Sequence, residues 1–126
     1  MKNLKERIQS GETVYGSWLN LGSHVSAEIM AHAGFDWLLI DMEHGSGYED
    51  MMFHQLQVLA STQVTPLVRT SEASRGRIQQ ILDSGAHGIM FPQIANVEEA
   101  KNATRLMYYP PKGIRGMAKI TRATHF

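Results

Sequence analysis

Phe35-Asp36-Trp37-Leu38-Leu39-Ile40-Asp41 is a nearly continuous apolar run, too short for a helix and bounded by turn signals. Such a run is expected of a parallel strand buried on both faces, and it is the clearest strand in the chain. Upstream, residues 14–19 (VYGSWL) read as another strand, and Ser23 stands as an N-cap before a helix with Val25, Ile29, Met30 and Ala33 facing inward, closed by Gly34. Further upstream, Leu4 and Ile8 lie four apart among charged residues, which predicts a short amphipathic helix stopping at Gly11.

Downstream the same alternation continues. A helix over about residues 48–60 carries Met51, Met52, Leu56 and Leu59 on one side, and Thr65–Arg69 (TPLVR) reads as a third strand. Ser74 can cap a helix with Ile78, Ile81 and Leu82 inside, ending near Gly85; residues 88–94 (GIMFPQI) then form a fourth strand before a helix over Val97–Met107. AGFDWLLID and SGAHGIMFP use one helix-stop, turn and strand twice, with Gly34 and Gly85 51 residues apart, a weak internal repeat. Alternating βα units imply a parallel sheet with right-handed crossovers, and four strands fit either an open sheet or half of a barrel.

Composition narrows the function classes. The chain has 126 residues, 43% apolar and 19% charged, which predicts one globular domain over 1–126. Twelve basic and twelve acidic residues cancel, so no broad electrostatic footprint for nucleic acid or an anionic membrane exists. The absence of cysteine excludes disulfides, thiolate nucleophiles and Cys-type zinc sites, and fits a reducing, cytoplasmic setting. The opening MKNLKERIQSGE has no apolar core of a signal peptide, and no run of 18 apolar residues occurs.

In parallel β/α folds ligands bind at the carboxyl ends of the strands. Three predicted strands end in chemistry: the second in Asp41-Met42-Glu43-His44, the third in Arg69-Thr70, the fourth in Gln93 after Pro92. An acid–base group, a guanidinium and an amide therefore converge on one rim. As a histidine, His44 can accept or donate a proton in acid–base chemistry, and a carboxylate such as Asp41 would fix its tautomer and raise its basicity; the plain alternative is a loop histidine. Arg69 offers a planar fork for a carboxylate, against the alternative of a structural ion pair with Asp41, Glu43 or Asp83. Asp41 and Glu43 sit two apart and would point the same way if the strand continued, a weak signal for a metal held by oxygen.

His24, His32, His54, His87 and His125 share no metal-like spacing and read as non-catalytic. The eight methionines read as gap-fillers. Residues 108–116 (YYPPKGIRG) form a rigid turn followed by a flexible, basic loop too poor in glycine for a phosphate cradle.

Taken in order, GSWLNLGS, AEIMAHAGFDWLLIDMEH, PLVR, QQILDSGAHGIMFPQI, YYPPKGIRG and the final TRA resemble the HpcH/HpaI aldolase family over nearly the whole chain. The resemblance implies an α/β fold of the (β/α)8-barrel family, of which this chain carries about four βα units, a half-barrel, behind a short N-terminal helix. It implies a class II aldolase that cleaves a 4-hydroxy-2-oxo (2-keto-3-deoxy) acid to pyruvate and an aldehyde. A divalent metal, Mg2+, Mn2+ or Co2+, would chelate pyruvate and stabilise its enolate as a Lewis acid.

By the same carry-over His44 with Asp41 is the base, Arg69 binds the pyruvate carboxylate and enolate oxygen, Glu43 and Gln93 lie at the substrate, and Asp83 and Arg122 are supporting. The family's metal ligands, a Glu and an Asp on the fifth and sixth strands, fall beyond residue 126, since a whole barrel needs roughly 250 residues. A half-barrel would leave two open edges and an uncovered apolar face, so the chain is expected either to self-associate as a homo-oligomer or to be a fragment. The alternatives are a catalytically incomplete assembly module and a CoA-thioester lyase of the citrate lyase β-subunit type.

Overall fold

A computed structural model describes residues 3–126, so Met1 and Lys2 of the opening stretch lie outside the described residues. Helix α1 (Leu4–Gln9) starts on a reciprocal cap: the Asn3 side chain accepts the Glu6 N–H, and the Glu6 carboxylate accepts the Asn3 N–H, both at 3.0 Å. Arg7 fastens the helix to the sheet through Asp36 at 2.7 Å. The Tyr15 N–H and Arg7 together hold the Asp36 carboxyl below its ordinary value.

Strands β1 (Gly16–Leu19), β2 (Trp37–Asp41), β3 (Thr65–Arg69) and β4 (Gly88–Met90) alternate with helices α2 (His24–Ala31), α3 (Glu49–Leu59), α4 (Arg75–Asp83) and α5 (Val97–Met107), and a short 3-10 helix spans Arg122–Thr124. The sheet is parallel with order β1-β2-β3-β4. Each strand lies beside its predecessor with no reversal of order. A doubly wound open sheet reverses at a switch point, whereas a (β/α)8 barrel winds in one direction, so the topology settles the choice that periodicity left open.

Alternate side chains point to opposite faces of a strand. Leu19, Leu38, Ile40 and Val68 face the helices and join Ala27, Ala31, Met52, Leu56, Leu59 and Ile81 in one buried cluster. On the other face the register builds three layers: Gly16, Trp37 and Thr65; then Trp18, Leu39, Leu67 and Gly88; then Asp41, Arg69 and Met90. The first two are packed large against small. A Cβ on Gly16 would sit 1.9 Å from the Trp37 ring, and one on Gly88 would sit 2.9 Å from Leu67. The third layer is the polar rim.

Several expectations are corrected. Helix α2 buries Ala27 and Ala31, with Met30 partly buried, while Val25 and Ile29 are 53% and 66% exposed and Ala33 is exposed. Small residues allow α2 to lie close against α3, so the bulky branched pair turns outward. In α3, Gln55 joins Met52, Leu56 and Leu59 inside, Met51 is half-buried, and Tyr48 is the N-cap rather than part of the helix. Ser74 takes the N-cap place of α4 by its extended backbone, without a hydroxyl cap bond.

The fourth strand stops at Met90 because Pro92 has no N–H to continue a ladder and Gln93 turns to φ 53°. The first strand starts at Gly16, two residues later than its pattern suggested. The loop expected to be flexible is bonded back onto the end of α5 and the two residues after it: Gly113, Ile114 and Arg115 donate their N–H groups to the carbonyls of Tyr109, Arg105 and Tyr108 at 2.9 to 3.1 Å.

The repeat is borne out locally. Gly34 and Gly85 both adopt positive φ, 91° and 98°, and two residues after each an N–H donates to a neighbouring chain carbonyl, Asp36 to Tyr15 and His87 to Pro66.

Candidate active site

Asp41 and Arg69 end β2 and β3 opposite each other in the register, and the Met42 N–H continues the pairing onto the Arg69 carbonyl at 2.9 Å. Their side chains meet in two parallel bonds: Arg69 Nε to Asp41 Oδ1 at 2.9 Å and Nη2 to Oδ2 at 2.7 Å. Asp41 is 2% exposed. It also receives the Glu43 and His44 backbone N–H groups at 3.0 and 3.2 Å, and the Asn20 amide at 2.8 Å. Burial alone pushes its carboxyl upward; the Arg69 guanidinium and the two backbone N–H groups outweigh this and bring it down to about 2. Arg69, held by Asp41, is raised in turn, and its guanidinium carbon lies 4.6 Å from the centre of the Trp18 ring.

The third arm of the guanidinium points onward. Arg69 Nη1 lies 3.2 Å from Glu43 Oε2, and the same oxygen lies 3.9 Å from Nε2 of His44. Glu43 Oε1 accepts from the Gln93 amide at 3.4 Å. The His44 side chain is 72% exposed. One carboxylate oxygen thus sits between a guanidinium and an imidazole that is open to solvent.

Five predicted residues, Asp41, Glu43, His44, Arg69 and Gln93, are together at this rim. Their pairing differs from the expectation in two respects. Asp41 meets the His44 backbone, and the carboxylate in ion-pair range of the imidazole, among the described residues, is that of Glu43. Asp41 and Glu43 do face one site, but the cation between them is Arg69. An ionised carboxylate has about four lone-pair directions, and Asp41 already accepts five hydrogen bonds, so it has no capacity left for a metal. Among the described residues no group of three or more His, Asp or Glu side chains is arranged to hold a metal ion.

Asp83 and Arg122 are elsewhere. Asp83 pairs with Arg115 at 2.5 Å, and Arg122 sits against Gly85, its guanidinium reaching the Leu56 carbonyl at 3.5 Å. Arg115 and Arg122 line a cavity of about 620 Å³ with Pro66 and His87, at the amino ends of β3 and β4 and so on the side opposite the rim. Two residues that touch the Asp41–Arg69 pair escaped the sequence reading. Trp18 and Asn20 are two apart at the end of β1, and the rule that singled out the other strands, a polar residue closing an apolar run, applies to WLN as well.

Comparison with known proteins fits this geometry. The model of the HpcH/HpaI aldolase/citrate lyase family matches residues 14–124. The chain is 42% identical over 128 residues to a 4-hydroxy-2-oxo-heptane-1,7-dioate aldolase of Salmonella dublin, covering all of this chain and 49% of that protein. It is 41% identical over 123 residues to a hydroxypyruvate/pyruvate aldolase of Agrobacterium fabrum, covering 97% and 46%. The crystal structure of an HpcH/HpaI aldolase/citrate lyase family protein from Burkholderia cenocepacia J2315 superposes with a TM-score of 0.93 at 40% identity, covering 99% of this chain and 52% of that one. The chain spans about half the length of the curated relatives it matches. With four βα units wound in the barrel sense and this rim, the chain belongs to the HpcH/HpaI aldolase/citrate lyase family.

Proposed function

We propose that residues 1–126 form one domain, half of a (β/α)8 barrel, and carry the proton-transfer and charge-balancing side of a pyruvate aldolase site. The reaction is reversible cleavage of a 4-hydroxy-2-oxo acid to pyruvate and an aldehyde. The observation that carries this reading is the place of Glu43 Oε2, within 3.2 Å of the Arg69 guanidinium and 3.9 Å of the His44 imidazole. A substrate oxygen taking that place meets a fixed cation on one side and a proton acceptor on the other.

The geometry supports the following roles. Arg69 is anchored through Nε and one N–H of Nη2, so the Nη1 side of its fork, where Glu43 Oε2 sits, remains for charge-assisted bonding to substrate. His44, exposed and set on the loop after β2, takes the proton from the substrate hydroxyl in cleavage and returns it in the reverse direction. Gln93 and Glu43 border the same space.

The formal charge of Asp41, Glu43 and Arg69 is −1, which suits a cation at the rim. A divalent ion, held by groups other than these, supplies Lewis-acid charge on the 2-oxo acid when bound. Asp41 is saturated and does not ligate it.

Release of pyruvate from 4-hydroxy-2-oxo acids, measured with Mg2+ or Mn2+ in the full chain, tests the reading. Activity that persists in both His44→Ala and Arg69→Ala refutes the roles given.

One observation favours a second reading, assembly through the sheet. Among the described residues β1 and β4 each pair on one side only, and Trp18 and Met90 on the uncovered face are each 41% exposed. A discrete oligomer without metal-dependent pyruvate binding would favour this over the enzyme.

A further inference from the structure

Asn20 touches both halves of the rim. Its amide Nδ2 donates to Asp41 Oδ2 at 2.8 Å, and its backbone carbonyl accepts the Ser46 N–H at 2.8 Å, so one residue holds the carboxylate that locks Arg69 and the loop that carries Glu43 and His44. Around it the chain is paved with glycine. A Cβ on Gly22 would lie 2.7 Å from the Gly47 nitrogen, and one on Gly45 would lie 2.2 Å from the Asp41 carbonyl. The loops after β1 and β2 therefore meet backbone to backbone, and Asn20 supplies their polar side-chain tie to the site.

The torsion that turns an aspartate carboxylate about its Cβ–Cγ bond is broad and weakly restrained on its own. Asp41 Oδ2 is held from two directions, by Arg69 Nη2 and by the Asn20 amide. Removing the amide takes away one of the two holds on Oδ2, which loosens the two-point match with Arg69 and, through it, the Glu43 and His44 N–H groups on Oδ1. We infer that Asn20 is a positioning residue that sets the orientation of the Asp41–Arg69 pair and, through it, of the His44 loop.

The inference rests on the aldolase reading for its kinetic measurement. Asn20→Asp is the informative change, because it keeps the shape and replaces the donor by a second acceptor. Two carboxylates this close do not both ionise freely; a proton shared between them restores the donor. The charged and titratable groups facing the pair are Arg69 from β3 and Glu43 and His44 from the loop after β2.

In the full chain with Mg2+ or Mn2+, kcat of Asn20→Asp relative to wild type at the same pH is expected to be at least about tenfold lower at about pH 8 and to recover most of that deficit by about pH 6, whereas Asn20→Ala loses a similar factor at both. Hydrogen exchange at the amides of residues 42–47, read without metal or substrate, is expected to quicken about tenfold in both variants, with the thermal midpoint little changed.

Unchanged exchange in both variants overturns the inference, as does an Asn20→Asp deficit that is equal at the two pH values. Faster exchange in variants of a wild type that cleaves no 4-hydroxy-2-oxo acid upholds the positioning role and removes the aldolase reading instead. If Asn20→Asp does not fold, Asn20→Ser, which keeps a short donor, is expected to exchange more slowly than Asn20→Ala; the opposite order overturns the inference.

Discussion

Arg69 and Asp41 face each other edge to edge across neighbouring strands, two nitrogens on two oxygens at 2.9 and 2.7 Å, with the carboxylate out of solvent. Asp41→Ala removes the two-point partner and leaves a guanidinium with 19% side-chain exposure between Trp18 and the single contact to Glu43. Breaking a buried pair from one side costs about 3 to 5 kcal/mol when the remaining charge has no partner, and Glu43 moderates the loss here to about 2 to 3 kcal/mol. Urea unfolding should show a loss in this range, and Asp41→Asn, which keeps shape and one acceptor, a smaller one.

The same pair makes stability depend on acid. The folded Asp41 carboxyl lies at about 2, below its ordinary 3.8. Because the folded value is depressed, its contribution is present above pH 4 and is lost as pH falls through 4 towards 2. The expected decrement is about 2 kcal/mol. Denaturant midpoints measured through that window should fall in wild type and fall less in Asp41→Asn.

His44 should separate chemistry from folding. Its side chain is mostly in solvent, so His44→Ala is expected to leave the thermal midpoint within a degree or two, surface changes being worth about 0.5 kcal/mol or less. Loss of a general base costs about 10² to 10⁴ in rate. A loss of under about fivefold in kcat would remove His44 from the proposed role.

Gly22 combines two constraints, a φ of 57° and a backbone neighbour 2.7 Å from where a Cβ would stand. Gly22→Ala is expected to destabilise by about 1 to 3 kcal/mol and to displace the loop carrying His44. Gly11→Ala meets no neighbouring atom and bears only the cost of its φ of 83°. Paired thermal melts of the two variants isolate the contribution of the contact.

The packing of α2 can be checked by substitutions of opposite sign. Val25→Ser and Ile29→Ser lie on the exposed side and should change stability by under about 0.5 kcal/mol. Ala31→Leu forces a larger side chain into the contact with α3 and should cost about 1 to 3 kcal/mol.

Strand identity was legible because burial on both faces writes an unbroken apolar run, as in WLLID, and β3 and α5 occupy the predicted residues. The facing of α2 was not, because large apolar residues mark a buried stripe only when packing distance permits them, and here alanines set a closer approach. At the rim, strand order carried Asp41, Glu43, His44, Arg69 and Gln93 to one end. Which carboxylate serves which cation was beyond sequence, since two acids two residues apart are told apart by how the backbone turns after Asp41. Asp83 and Arg122, given a supporting part by resemblance, lie at the end of α4 and in the 3-10 helix, at the far end of the strands.

On the concave face Trp37 leans over Gly16 and Leu67 over Gly88, each bulky residue borrowing the volume its partner gave up. Sequence change in these layers is therefore coupled across strands. Enlarging Gly16 becomes admissible only alongside a smaller residue at 37, and enlarging Gly88 only alongside one at 67, so each pair is expected to drift as a unit through descendants of this chain.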